Sequence, residues 1–385
     1  MAERSSGREI AVLVGLDFGK GGYDESIEEL GQLAASAGIQ ARALVRGRRD
    51  RPDPALFAGS GKVEEIKRAL QEQGASLAIF NHDLSPAQER NLEKALGCPI
   101  VDRTRLILNI FGQRAKSHEG KLQVELAQLE HAATRLVRGW THLERQRGGR
   151  GFMGGMGETQ LEVDRRLIAN RVKLLKDKLG KLGRRREVQR RARERGRAFS
   201  VSLVGYTNAG KSTLFNTLTR AGALAEDRLF ATLDTTTRRL YLPEAGNVAI
   251  SDTVGFIRDL PHTLVAAFRA TLEEAVHADL LLHVVDAASD AREAQVLEVD
   301  KVLTEIGANA VPRLLVWNKI DRNGLHPGVD RNEYDRICRV RLSAKTGDGV
   351  DGLRRALIEA AASRTSPASP PKPTDSKKLS QAATT

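Results

Sequence analysis

The sequence predicts an α/β protein in three successive parts: a small parallel α/β domain, an antiparallel helical hairpin and a larger α/β domain. Three observations predict it. Short apolar runs alternate with amphipathic stretches from Ile10 to about Arg114, as in strands joined by crossover helices. Two narrow apolar stripes at spacings of four and three follow, Leu122, Leu126, Leu129, Ala133, Leu136 and then Ile168, Val172, Leu175, Leu179, Leu182. Finally an apolar run, Phe199 to Val204, meets a glycine-bounded loop and then the helical stretch Thr213 to Arg220. The boundaries these imply are 1–114, 115–198 and 199–363, with a tail over 364–385.

A chain of 385 residues accommodates two to three domains at roughly 150 residues each. A formal charge of +12 and a pI near 9.9 favour a polyanionic partner over a membrane. Cys98 and Cys338 form no ligand or redox motif and are expected to be reduced, buried thiols. The first residues lack the apolar core of a signal peptide, and no apolar run approaches the ~20 residues of a membrane span. A soluble, cytoplasmic protein is expected.

In the first part, strands are predicted at Ala11–Gly15, Ala41–Val45, Ser76–Phe80 and Pro99–Val101. Helices are predicted at Asp24–Ala37, Lys62–Gln73, Pro86–Leu96 and Thr104–Phe111. Ser85 before Pro86 is an N-cap followed by proline at the first helical position. Gly59-Ser-Gly-Lys62 could receive a phosphate, but it lacks the spacing of a phosphate loop and reads better as a turn into a helix.

The two leucine stripes pair most simply as a hairpin. Its tip is the glycine-rich run Gly148 to Gly157, too rich in glycine for regular helix. Gly180 and Gly183 weaken the second helix near its end. That helix is also strongly basic: Arg171 to Arg197 holds thirteen Lys or Arg against Asp177, Glu187 and Glu194, a balance of +10. Charge at that density on an arm suits contact with a nucleic-acid backbone, without reading base sequence. The tail, rich in Ser, Pro, Thr and Lys, is expected to be disordered.

The third part carries the chemistry. Gly205, Tyr206, Thr207, Asn208, Ala209, Gly210, Lys211 and Ser212 form a Walker A phosphate loop between strand and helix. Its backbone N–H groups, continuing to Thr213, cradle a polyphosphate at the positive helix end. Lys211 reaches the β- and γ-phosphates and the Ser212 hydroxyl takes a position on Mg²⁺. Asp252, Thr253, Val254 and Gly255 follow the strand Val248–Ser251; an Asp there holds Mg²⁺ through water, and the Gly255 N–H meets the γ-phosphate. Asn318, Lys319, Ile320 and Asp321 close the strand Leu314–Trp317, and a buried Asp321 carboxylate pairs with the two donors of guanine that adenine lacks. Ser343, Ala344 and Lys345 end the last strand, where a backbone N–H can meet the guanine O6. Between loop and Asp252 lies Leu229, Phe230, Ala231, Thr232, Leu233, Asp234, Thr235, Thr236, Thr237, Arg238. A switch needs a Thr that reaches Mg²⁺ and the γ-phosphate, and spacing does not choose among these four threonines. The fold class is therefore α/β, with a P-loop GTPase domain preceded by a small parallel α/β domain and an antiparallel helical hairpin.

The chain resembles the HflX-type GTPases of the Obg-HflX group. The resemblance is carried by Gly205–Ser212, Phe230–Asp234, Asp252–Ile257, the guanine motif and, outside that domain, Asp102–Leu108, Glu119–Leu126 and Gly157–Glu162. It covers nearly the whole chain up to the tail. It implies Thr232 as the switch ligand of Mg²⁺, and binding to the large ribosomal subunit with the hairpin tip towards the peptidyl-transferase region. It also implies splitting of stalled ribosomes under stress. The tip here reads Gly151-Phe-Met-Gly-Gly-Met-Gly157 where an Arg-Gly-Pro-Gly type is common.

Lys211, Thr232 and Gly255 are thus the candidate catalytic groups, with Phe256 where a Ras-like enzyme places a water-orienting Gln. Slow intrinsic hydrolysis is expected, with the missing group supplied by a rearranged switch or by the ribosome; simple packing of Phe256 under the switch is compatible with this. By resemblance, Asn208 implies K⁺ beside the phosphates. The expected function is a GTPase that binds 23S rRNA through 115–198, dissociates stalled or idle ribosomes and is released by hydrolysis, monomeric off the ribosome. Two other readings stand: a large-subunit assembly GTPase, and an RNA chaperone or ATP-dependent helicase acting through the N-terminal domain.

Overall fold

The computed structural model describes residues 9–19, 21–138, 160–195, 198–219, 229–261, 264, 265 and 268–365. Its first sheet is wholly parallel, in the order β2-β1-β3-β4, with β1 Ile10–Asp17, β2 Gln40–Arg48, β3 Leu77–Phe80 and β4 Ile100–Val101. Helices α1 (Tyr23–Ser36), α2 (Ser60–Gln73), α3 (Pro86–Leu96) and α4 (Arg103–Arg114) make the crossovers. The central strand β1 is buried along nearly its whole length because helices cover both faces. Helix α3 opens as its sequence predicts. Ser85 Oγ accepts from Gln88 N–H while Ser85 N–H donates to the Gln88 side chain, a complete capping box ahead of Pro86. Helix α2 starts at Ser60, two residues before the predicted Lys62.

Helices α5 (His118–Arg138) and α6 (Gln160–Arg195) pair side by side. Leu122, Leu126 and Leu175 are buried between them, with Leu129, Val172, Leu179 and Leu182 packed alongside. The ion pairs run in opposite senses along the two helices: Glu119 with Arg186 at 2.7 Å and Glu130 with Lys176 at 2.8 Å. The pair is therefore antiparallel. Helix α6 passes through Gly180 and Gly183 without a break. Two helix-interior glycines cost about 2 kcal/mol together, which the leucine seam and these ion pairs offset. The glycine-rich tip and residues 366–385 lie outside the described residues.

The second sheet has seven strands in the order β10-β11-β9-β8-β5-β7-β6. These are β5 Phe199–Gly205, β6 Thr236–Leu242, β7 Gly246–Asp252, β8 Leu280–Asp286, β9 Arg313–Asn318, β10 Gly328–Arg331 and β11 Ile337–Arg341. The interior pairs are parallel, while β6 and β10 are antiparallel edges. Helices α7 (Lys211–Thr219), α8 (Arg269–Val276), α9 (Arg292–Glu305) and α10 (Val350–Thr365) complete it.

The apolar core does not respect the three-part division. One continuous cluster joins Leu30, Leu33, Leu106, Ile107 and Phe111 of the first domain to Phe230, Leu233, Val254, Phe256 and Ile257 of the third. Phe111 meets the rings of Phe230 and Phe268 edge-on, with centroids 4.6 and 4.8 Å away. The two cysteines are free; Cys98 is half-buried and Cys338 exposed, so the expectation of two buried thiols fails. On the edge strand pair β10–β11, alternate residues face solvent, and Cys338 takes such a position. Among the described residues no helix is long and apolar enough to cross a membrane.

Candidate nucleotide site

The site forms where parallel strands of the second sheet end and chain must turn back into helices. Gly205 closes β5, the loop 206–210 follows, and α7 begins at Lys211. Lys211 is buried, and its Nζ donates to the carbonyls of Gly205 at 3.1 Å and Tyr206 at 2.8 Å. Two of three ammonium protons are so used, and the head is fixed at the inner edge of the loop. Burial lowers the Lys211 pKa to about 8, against the raising effect of Asp252. Asn208 takes a left-handed conformation at φ 59°. Gly210 does too, at φ 92°, and a Cβ there would lie 2.2 Å from Asn318 Nδ2, so only glycine lets the guanine motif approach the loop. Thr207 N–H donates to Phe256 O at 2.7 Å, and Phe256 N–H donates to Gly205 O at 3.1 Å. The strand end at Asp252–Phe256 is thereby stitched to the phosphate loop, with Gly255 against Thr207 and Lys211.

Three oxygens converge beside the start of α7. Ser212 Oγ donates to Asp252 Oδ2 at 2.6 Å and lies 2.7 Å from Thr232 Oγ1, which donates to the same Asp252 oxygen at 2.9 Å. Of the four candidate threonines, the structure brings Thr232 here. Thr236 and Thr237 are already in β6, where Thr237 Oγ1 pairs with Ser251 Oγ at 2.8 Å. Asp252 is almost fully buried and its other oxygen, Oδ1, has no partner among the described residues. Burial pushes its carboxyl above the ordinary range, while the Ser212 hydrogen bond and the Lys211 charge pull the other way. Hard oxygen donors around a desolvated, partly unsatisfied carboxylate are a set that fits Mg²⁺. Thr213, Phe230 and Ala231 line the same small cavity of about 50 Å³.

At the base end, Asn318 is buried. Its Nδ2 donates to Ala209 O at 2.9 Å and its Oδ1 accepts Ala344 N–H at 2.9 Å, so one amide ties the phosphate loop to Ser343–Lys345. Lys319, at φ 65°, pairs with Asp286 at 2.8 Å. Asp321 accepts the Ser343 hydroxyl at 2.6 Å. Asp321 is exposed, which corrects the buried carboxylate of the sequence reading. It lies on the short turn Ile320–Arg322 beyond the strand end, where the protein alone does not cover it. Ile320 is buried and Lys345 is exposed.

Sequence reasoning misses what lies behind the loop. Tyr206 Oη donates to Glu29 of α1 and accepts Arg258 N–H at 2.8 Å. Arg103 of α4, nearly fully buried, donates to Glu29, to Arg258 O at 3.0 Å and to Asn81 Oδ1 at 2.9 Å. Arg258 reaches Gly22 O at 2.7 Å. The sequence signals were Arg103 standing at the head of the apolar helix 103–114 and its place in the stretch Asp102–Leu108 that carries the family resemblance. Phe256 is fully buried, so its ring packs within the core. Gly59-Ser-Gly-Lys62 forms the first turn of α2, with Lys62 Nζ donating to Arg46 O at 2.7 Å and Glu65 at 2.6 Å. That lysine is committed to the protein's own oxygens.

Family models match the chain in three successive pieces: "GTP-binding GTPase N-terminal" over 24–112, "GTP-binding GTPase Middle Region" over 114–193 and "50S ribosome-binding GTPase" over 200–319. The Escherichia coli protein "GTPase HflX" is 52% identical over 360 residues, spanning 93% of this chain and 84% of its own. The "GTPase HflX" of Magnetococcus marinus is 52% identical over 334 residues, 87% of this chain and 77% of its own. A GDP-bound GTP-binding protein from the archaeon Sulfolobus solfataricus aligns over 93% of this chain and 100% of its own, at 23% identity and a TM-score of 0.47. The identity to the bacterial relatives extends through the small α/β domain and the hairpin as well as the nucleotide domain, so the chain belongs to the HflX family of GTPases and hydrolyses GTP.

Proposed function

We propose that this GTPase binds the large ribosomal subunit through the hairpin 115–198 and parts stalled or idle ribosomes while GTP is bound, with hydrolysis releasing it. The observation that carries the ribosomal part is the surface of α6. Its 36 residues make an arm roughly 54 Å long. Lys173, Lys178, Lys181, Arg184 and Arg185 are exposed along it, while Arg171, Lys176 and Arg186 are partly spent on glutamates of α5. Exposed cations on a straight arm suit phosphate-backbone contact with 23S rRNA. The name of the matching nucleotide-domain family supports the same partner. A protein acting on ribosomes would work in the cytoplasm.

In this reading Lys211 holds the β- and γ-phosphates with its remaining donor, and the N–H groups of the loop hold the rest. Ser212 and Thr232 would ligate Mg²⁺ and Asp252 would hold it through water; the ion, when bound, neutralises charge on the transferred phosphoryl group. Gly255 offers its N–H to the γ-phosphate. The guanine base itself covers Asp321, and its two donors replace the water there. Asn208 would hold K⁺, which predicts faster hydrolysis in potassium than in sodium buffer. Phe256, sealed in the core, cannot orient the attacking water. Hydrolysis should therefore be slow until the ribosome rearranges the switch.

The test is sedimentation of purified 70S ribosomes with the protein and a non-hydrolysable GTP analogue. Dissociation into subunits is expected; particles that stay whole while the protein still binds free large subunits would favour an assembly role instead. Replacing Arg184 and Arg185 by Ala should lower the slope of log affinity against log salt by ~2.

A further inference from the structure

We infer that Asp234 is the residue through which the switch segment grips the first helix of the hairpin, so that fixing Thr232 also fixes the start of α5. Asp234 Oδ2 accepts the N–H of Lys116 at 3.0 Å and of Ser117 at 2.8 Å, and Oδ1 accepts the Ser117 hydroxyl. Ser117 Oγ in turn accepts Gly120 N–H at 2.8 Å. A helix start leaves N–H groups without intrahelical partners and carries a partial positive charge. Here Ser117 Oγ caps the Gly120 N–H, and the carboxylate that holds Ser117 by its own N–H and hydroxyl comes from 117 residues further along the chain, in another domain. No local pattern in the sequence announces it.

Asp234 stands two residues after Thr232, so at most ~7 Å of chain separates their Cα atoms. Leu233 between them is buried and allows no slack. The cap is formed in the same conformation that sets Thr232 beside Ser212 and Asp252. Whatever holds Thr232 there favours the cap, and by linkage the cap favours Thr232 there. GTP with Mg²⁺ requires that position and GDP does not, so the hairpin helix is tied to the nucleotide state through one side chain. Gly120 is the other half of the arrangement: a Cβ on it would lie 2.2 Å from Asp234 Oδ1. The inference rests on Thr232 as the switch ligand proposed above, and not on the ribosomal partner.

The test is amide hydrogen exchange on the full chain with Mg²⁺ and either GDP or a non-hydrolysable GTP analogue, without ribosomes. The analogue should slow exchange at Lys116 and Ser117 by about five-fold or more relative to GDP, the size of a typical helix cap. Gly120→Ala should bring that ratio close to one, and the milder Ser117→Ala, which keeps both backbone bonds to Asp234 but loses the hydroxyl, should lower it about two-fold, while a fluorescent guanine nucleotide still binds. If Gly120→Ala does not fold, Ser117→Ala decides alone, since it creates no clash. Equal exchange in both nucleotide states of the unaltered chain, or an undiminished ratio in Ser117→Ala, overturns the inference. Loss of ribosome splitting with the exchange ratio intact would count against the ribosomal reading only.

Discussion

The base end and the switch end of the nucleotide site are built differently. At the base end the described polar contacts are internal to one domain: Asn318 with Ala209 and Ala344, Asp321 with Ser343, Lys319 with Asp286. At the switch end the partners come from elsewhere in the chain. Tyr206 and Arg258 engage Glu29, Arg103 and Gly22, Leu229 N–H donates to Ser36 Oγ at 3.1 Å, Phe230 meets Phe111, and Asp234 takes the start of α5. Which nucleotide is bound can thus be read by the nucleotide domain alone. Under the inference drawn above, whether it carries a γ-phosphate would be felt by the other two domains.

Four substitutions would break or sharpen this contrast. Lys211→Ala sits where the two ends meet, and should lower the rate of GTP hydrolysis by roughly 10²–10³-fold in a phosphate-release assay. Asp321→Ala removes two charge-assisted hydrogen bonds to the base. GTP affinity should fall by about 10²-fold in a titration, with no gain for ATP, and the unfolding free energy should fall by only ~1 kcal/mol for the lost Ser343 hydrogen bond. Glu29→Gln works the opposite way. It leaves Arg103 buried without its carboxylate, and should lower the unfolding free energy in urea by about 3 kcal/mol while base selectivity holds. Tyr206→Phe deletes one buried hydroxyl between the domains and should cost ~1 kcal/mol in the same measurement. If Asp321→Ala destabilised the fold as much as Glu29→Gln, or Glu29→Gln cost nothing, the contrast between the two ends would be wrong.

The base end was legible in the sequence because its geometry is local. Asn318–Asp321 and Ser343–Lys345 sit at strand ends in fixed order, and adjacent parallel strands carry them to the same edge of the sheet. The phosphate loop was legible for the same reason, as was α3 with its Ser85 cap. The exposure of Asp321 was not, since motif chemistry assumes the base that covers it. Helix α6 shows what propensity leaves open: Gly180 and Gly183 weaken the helix without deciding whether it continues, and the leucine seam carries it through.

By itself the sequence determined the alternation of strands and helices in the first domain, the strands that carry the nucleotide motifs, the hydrophobic stripes that pair the hairpin and the basic character of its second helix. Each is written in periodicity, charge or short-range spacing. Only the tertiary structure set the hydroxyl of Thr232, singled out beforehand by resemblance alone, beside Ser212 and Asp252, buried Phe256, and matched Glu29 to Tyr206 and Asp234 to Ser117. Those choices depend on which surfaces meet when one apolar core closes over three segments. Partners 117 to 177 residues apart leave no trace in any local window.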